Sequence, residues 1–294
     1  MQSYVILTDA DSELPLSIVD RYNVHFVPMP YQMDGNEYAY DLGRETDYKQ
    51  FFERIRAGSI PTTTTFPPQY YVDMWKPYLD AGKDVLFLSF SSMLSAAYSF
   101  LSTARNELCE LYPERKIIAL DTKSISVGMA ILVYEALKMQ QSGADIDTVA
   151  QWVEQNAIRA NVWFTVDDLF HLKRGGRISS TAAAMGSLLH LKPIITMSQA
   201  GRLVPYDKVN GRRKSLRFIA DAIVSHAENP KDNVLMIVHG DCEEDAYTVK
   251  ALVEEQGVTF NEYFIQFVGP VIGAHTGAQT LGVGFFGKER EIAD

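Results

Sequence analysis

The chain has 294 residues, 47% of them apolar and 22% charged, with a formal net charge of −10. This composition fits a globular protein with a real core, and the acidity argues against nucleic-acid binding as the main task. No stretch approaches the roughly 18–20 uninterrupted apolar residues of a membrane span, so an integral membrane protein is not expected. The opening "MQSYVILTDADSELP" has an apolar run too short for a secretory signal and reads as the first strand of a cytoplasmic protein. Cys109 and Cys242 have neither metal spacing nor a disulfide framework and read as free thiols.

Strand and helix signals alternate through the first half. "YVILTDA" is a buried strand, and "SELPLSIVDRY" a helix with Pro15 near its start. "VHFVPMPYQM" is extended, and "DGNEYAY" carries an Asp-Gly turn. In "TDYKQFFERIRAG", Tyr48, Phe51, Phe52 and Ile55 share a helical face that Gly58 closes. The tract "IPTTTTFPPQ" is too polar for a core strand and too β-branched for a comfortable helix. After it come a helix from about Pro67, the strand "DVLFLSF", a helix from about Ser95, the strand "KIIALD" and two further helices. Such alternation predicts a parallel sheet covered by helices. Its ligand loops should lie beyond the carboxyl ends of the strands, at Thr8–Ser12, Ser89–Ser95 and Asp121–Ser126.

Past about Ala160 the pattern changes. "NVWFTV", "KPIITMSQAGRLVPYDKV", "NVLMIVHG", "VTFNEYFIQFV" and "TLGVGFF" read as strands, with a hairpin turn inside "QAGRLV". "SLRFIADAIVSHAE" and "EEDAYTVKALVEEQG" read as helices. The prediction is an α/β chain of two domains. Residues 1–160 form a parallel-sheet domain flanked by helices, and residues 161–294 an α+β domain with a mixed or antiparallel sheet. No Pro/Gly/Ser linker separates them, so they should pack tightly. Between Lys173 and Arg217 lysines and arginines, including Arg174, Arg177, Arg202 and Arg212, face the single acid Asp207. This segment is either a docking face for something anionic or a solvated surface whose acids lie nearby in space.

Four stretches could carry chemistry. The hydroxyls of the threonine tract, including Thr63 and Thr64, can cup an anion beside the helix start at Pro67 and Pro68, though a stiff connector would look the same. In "SFSSMLSAAYSF", Ser95 can cap a helix or offer its hydroxyl, with the Ala96 N–H, to a carboxylate or phosphate. In "GPVIGAHTGAQTLGVGFFG", small residues surround His275, which can donate a hydrogen bond or carry a proton, or be a turn histidine satisfied by water. "LKRGGRIS" is a basic helix end suited to a phosphate or an acidic partner. There is no P-loop, dinucleotide fingerprint, H-E-x-x-H or G-x-S-x-G elbow, and neither cofactor nor metal is expected.

"LTDADSELP", "PTTTTFPP", "SSMLSAAY", "DTKSISVG", "DLFHLKRGGRIS", "KPII", "GRL" and "GPVIGAHTG", in this order, resemble the signature segments of the DegV family across nearly the whole chain. The resemblance implies a two-domain α/β fold with a long-chain fatty acid in a buried tunnel between the domains. It also implies a carrier subunit, not an enzyme itself, that offers the acyl carboxylate to a separate fatty acid kinase subunit, which makes an acyl phosphate. The family's carboxylate-binding threonine falls on Thr63, its helix-head serine on Ser95, its histidine on His275 and the arginine of its "GGRI" segment on Arg177. The sequence departs from the family where Thr63-Thr64-Thr65-Phe66 replaces Thr-Ser-Gln-Pro and Ser95-Ala96-Ala97 replaces Ser-Gly-Thr. Apolar segments such as "AAAMGSLLHL" could line the tunnel, and Arg174, Arg177, Arg202 and Arg212 would face the kinase or the acyl phosphate. The alternatives are a hydrolase of acyl or phosphoryl esters that uses His275 as acid or base, and a regulatory lipid sensor.

Overall fold

In the computed structural model, residues 3–167, 169–178 and 191–293 are described. The first strand, β1 (Tyr4–Asp9), is buried along almost its whole length, as a strand covered on both faces must be. Pro15 then fixes the entry to α1 (Leu16–Tyr22), and β2 (His25–Val27) returns parallel to β1. β3 (Met29–Met33) and β4 (Asn36–Tyr40) form a hairpin. Its turn residues Asp34 and Gly35 both take positive φ, 51° and 78°, as a tight two-residue hairpin turn requires. The Asp47 carboxylate caps α2 (Tyr48–Arg56) by accepting from the Gln50 N–H at 3.0 Å.

The threonine tract supplies β5 (Thr62–Thr63), which pairs antiparallel with β3 and sets Thr63 opposite Tyr31. The sequence led us to expect no core strand there. The β-branched threonines suit the pleat at the margin of a small sheet, and two residues suffice for it. After α3 (Pro68–Asp80), the strands β6 (Asp84–Ser89) and β7 (Ile117–Asp121) flank α4 (Ala97–Leu111). The parallel sheet has the order β2-β1-β6-β7. α5 (Ser126–Gln141) is apolar nearly all round, the mark of a helix with no solvent face. It touches β1 on one side and β8, β11 and β13 of the second sheet on the other. α6 (Ile146–Asn156) packs beside it.

The second sheet begins with β8 (Ala160–Thr165), followed by the short α7 (Phe170–Arg174). β9 (Leu191–Met197) and β10 (Leu203–Asn210) form the expected hairpin. Then come α8 (Arg212–His226), β11 (Val234–His239), α9 (Glu243–Glu255), β12 (Glu262–Phe267), α10 (Pro270–Thr276) and β13 (Leu281–Phe286). The order is β10-β9-β8-β13-β11-β12, with β11 and β12 parallel and the remaining pairs antiparallel, so the sheet is mixed.

β13 shows how its two faces differ. Leu281, Val283 and Phe285 join the core under α8 and α9. Gly282 and Gly284 alternate with them and face the α5 side, where a Cβ on Gly284 would lie 2.8 Å from the Val127 backbone. The helix therefore rests directly on the strand. One apolar cluster runs through Leu7 and Phe87 of the parallel sheet, α5, and Phe164 and Val238 of the mixed sheet. Burying that continuous surface holds the two sheets together.

Candidate functional site

The loops at the carboxyl ends of the parallel strands are hydrogen-bonded to one another. The Phe90 N–H donates to Asp9 Oδ2 at 3.3 Å, the Ser91 N–H to the Ser124 carbonyl at 3.0 Å, and the Ser92 N–H to Asp121 Oδ2 at 3.3 Å. This platform meets the mixed sheet at a cavity of about 180 Å³. Most of the lining is apolar, with Ile125 just before α5 and Val127 in its first turn, Phe164 and Val238 from the mixed sheet, and Val271 from α10. The polar lining residues include Thr63, Thr64, Ser95, Arg177 and His275, together with Asp11, Thr65, Ser126, Thr276 and Thr280.

Thr63 and His275, 212 positions apart, are 2.9 Å apart through Oγ1 and Nε2. The "GPVIGAHTG" stretch is helical, not a turn, and α10 places His275 in its last turn. Burial, reinforced by Arg177, Arg174 and His171, lowers the imidazole pKa to about 4, so the ring is neutral at neutral pH. Nδ1 is buried with no hydrogen-bond partner among the described residues. A proton there would be a stranded donor, so hydrogen-bonding logic assigns it to Nε2, which donates to Thr63 Oγ1. The Thr63 hydroxyl hydrogen is then free to turn toward the cavity. Gly175 makes the ring position possible, because a Cβ there would fall 2.1 Å from Nδ1.

Ser95 sits just before α4. Its Oγ accepts from the Ala97 N–H at 3.2 Å, the local capping bond expected for it, while Ala96 occupies the N-cap position. Thr64 is tied through its N–H to the Pro30 carbonyl at 3.3 Å. Thr63, Thr64, Ser95, Ala96, Arg177 and His275 thus line one cavity. The other arginines do not line it. Arg174 flanks it by donating to the carbonyls of Ala274 at 3.2 Å and Pro61 at 3.4 Å. Arg202 is exposed in the β9–β10 turn. Arg212 is paired with Asp245 at 2.8 Å. Lys192 and Arg217 likewise find Asp167 and Asp221, so acids close in space pair with part of the basic segment. The run "AAAMGSLLHL" lies outside the described residues except for Leu191, which opens β9.

Arg177 is held by the carbonyls of Leu94 at 3.1 Å and Gly175 at 2.5 Å. Burial lowers its pKa and Asp11 opposes that shift. Asp11 lies in the predicted ligand loop Thr8–Ser12 and lines the cavity, although the sequence did not single it out as a site residue. It is 4% exposed, and its Oδ1 has no hydrogen-bond partner among the described residues. Burial, then Asp9 and Glu13, push its pKa well above the carboxylate range, while Arg177 pulls it back. Burial raises Asp9 to about 7 and Glu13 to about 8. Glu13 accepts from the Ser126 hydroxyl, and from the Gly269 N–H at 2.5 Å, which links the first loop to the starts of α5 and α10. The available signal was "DADSE", acids at every second position directly after a buried strand. No group of His, Cys, Asp and Glu among the described residues is arranged to hold a metal ion. No helix among them is long and apolar enough to cross a membrane.

A family model described as "Uncharacterised protein, DegV family" matches residues 3–288. The chain is a member of the DegV family. A DegV domain-containing protein of Clostridium perfringens is 38% identical to it, over 99% of this chain and all of that one. A DegV-family protein from Thermus thermophilus, solved for its fatty acid binding, superposes with a TM-score of 0.87 at 28% identity, covering 97% of this chain and all of that one. A fatty-acid-binding DegV-family protein from Streptococcus agalactiae superposes at 0.84 with 25% identity, covering 98% and 100%. The DegV architecture therefore accounts for both the parallel and the mixed sheet.

Proposed function

We propose that this DegV-family protein binds a long-chain fatty acid, with the acyl chain in the apolar cavity and the carboxylate at Thr63, Thr64, Ser95, the Ala96 N–H and His275. The observation that carries the proposal is the Thr63–His275 pair at the edge of an apolar cavity. Each methylene removed from water contributes about 0.8 kcal/mol, so a long chain offers on the order of 10 kcal/mol gross before binding costs. A buried carboxylate without partners would forfeit several kcal/mol of that. Hydroxyls and the N–H groups at the start of α4 answer its charge, while the neutral His275 imidazole acts through Thr63, holding its oxygen so that the hydroxyl hydrogen is free for the ligand. The fatty-acid-binding relatives from T. thermophilus and S. agalactiae support the same ligand class.

On this reading the chain divides into domains at 1–160 and 161–294 with the ligand between them. The protein is a cytoplasmic carrier that offers the carboxylate to a fatty acid kinase subunit for acyl-phosphate formation, with Arg174, Arg177 and Arg202 as the residues that would meet that subunit. A hydrolase is less well supported. Thr63 and His275 resemble a nucleophile and base, but no described residue orients Nδ1 as a third group would. The test is to extract lipid from purified protein and identify it by mass spectrometry. A retained or readily loaded long-chain fatty acid is expected, with acyl phosphate formed from ATP only when a kinase subunit is added. Protein that arrives empty and takes up no fatty acid would overturn the reading.

A further inference from the structure

Three lining residues lie side by side across the mixed sheet. Gly282 of β13 is paired with Phe164 of β8 and with Val238 of β11. The middle position of that row has no side chain, so the row is a notch with Phe164 and Val238 as its walls. One step along β13 the notch is closed. Gly284 is paired with Val162 and Met236, and α5 presses onto it so closely that a Cβ there would meet the Val127 backbone at 2.8 Å. The two glycines on one face thus do opposite things: Gly284 admits the helix and Gly282 leaves space. No hydroxyl or charge belongs to the row itself; the polar lining residues, among them Thr63, Ser95, His275 and Thr280, lie outside it.

We infer that Gly282 is the residue that sets the acyl length this protein accepts, its notch receiving the methyl end of the chain. The inference rests on the fatty-acid reading above and specifies where the tail stops. Gly282 does not have a left-handed φ, so alanine is conformationally allowed. The added methyl would lie 3.2 Å from Val238 Cγ2 and 3.5 Å from Phe164 Cβ, inside the notch and tight against the buried Val238 side chain, which must give by a few tenths of an ångström. It takes the room of about one methylene, and valine takes that of about three. A methylene kept out of the cavity costs about fourfold in affinity.

The experiment is competitive loading. Purified, delipidated protein is equilibrated with an equimolar series of saturated fatty acids from dodecanoate to eicosanoate, and the bound distribution is read by mass spectrometry. For Gly282→Ala the preferred length should fall by about one carbon, and for Gly282→Val by about three. Val238→Ala widens the same notch without touching the glycine and should move the preference the other way, so the inference can be tested even if Gly282→Val folds poorly. An unchanged distribution in both Gly282→Ala and Val238→Ala would overturn it. So would an equal loss at every length, which would put the notch beside the middle of the chain. Wild-type protein that binds none of the series would instead remove the fatty-acid reading itself.

Discussion

Thr63 matters through one hydrogen. With the imidazole donating from Nε2, the hydroxyl can still donate to a carboxylate, and hydrogen bonds to charged groups contribute about 1.5–3 kcal/mol. Thr63→Ala should therefore weaken fatty-acid binding by roughly 10- to 100-fold, while Thr63→Ser should stay within a few fold of wild type, both read by isothermal titration. Glu13 gives a prediction of another kind. Its carboxyl has an ordinary pKa of 4.5 and is raised by burial to about 8. Between those values the folded protein keeps a proton that the unfolded chain has released, so stability falls as pH rises through that window. His275 acts in the opposite sense: its pKa falls from 6.5 to about 4, so its contribution is lost as pH drops through that interval. Above about pH 6.5 the His275 contribution no longer changes, and the fall in stability up to about pH 8 comes from the raised carboxyls. Glu13→Gln keeps an oxygen for the Gly269 N–H and an amide for the Ser126 hydroxyl, and never ionises. Its urea midpoint should match wild type near pH 5 and exceed it by pH 9; equal midpoints at both would refute the buried proton. Thr63, Ser95 and His275 were legible in the sequence through their family motifs. Asp11 was legible only as part of the loop Thr8–Ser12; its burial was not, because a buried acid and a solvated one are spelled alike. Gly282 was not, because only a neighbouring strand shows that its missing side chain leaves a hole.

At the scale of elements, periodicity located the strands and helices that bury a face. It failed where partners distant in sequence decide the conformation. Thr62 and Thr63 are strand because β3 offers a partner, a non-local fact absent from the tract. The "GPVIGAHTG" stretch reads as loop from its glycines. It is helical because Pro270 fits a first turn and Phe51 and Phe52 of α2 pack against Gly273, where a Cβ would meet a ring carbon at 2.9 Å. α5 could be read as a helix from sequence, but its position between two sheets could not. That position depends on Gly284. Gly284→Ala would have to lift the helix from the strand, since the contact is with backbone that no rotamer change can relieve. Overpacking of this kind costs about 1–3 kcal/mol, and denaturant unfolding should show a lower midpoint with an unchanged slope. Full stability in this variant would mean that the helix does not bear on the sheet.

For the molecule as a whole, the change of pattern near Ala160 revealed two sheets but not what joins them. The shared apolar cluster is one tie and Arg290 is another. The arginine is 4% exposed and has no salt-bridge partner among the described residues. Its guanidinium donates to the carbonyls of Lys123, Ala157, Ala160 and Ser198 and to the Ser124 hydroxyl, which belong to both halves of the chain. Burial lowers its pKa only to about 10, so it stays charged at neutral pH. Arg290→Met would fill similar space but leave those acceptors without a donor, at about 1–3 kcal/mol for each one that water cannot reach. Two consequences can be separated by calorimetry. Wild-type protein should unfold in one transition, because the cluster and the arginine bind the sheets into one cooperative unit. Arg290→Met should melt lower, with its endotherm broadened or split as the sheets lose their common tie. A ligand bound between the sheets would restore part of that coupling: at 100 times its dissociation constant it adds about 2.7 kcal/mol to the folded state. Saturating fatty acid should therefore raise both melting temperatures and narrow the variant's transition. A variant that stays split with ligand bound would show that the acyl chain engages only one side of the cavity.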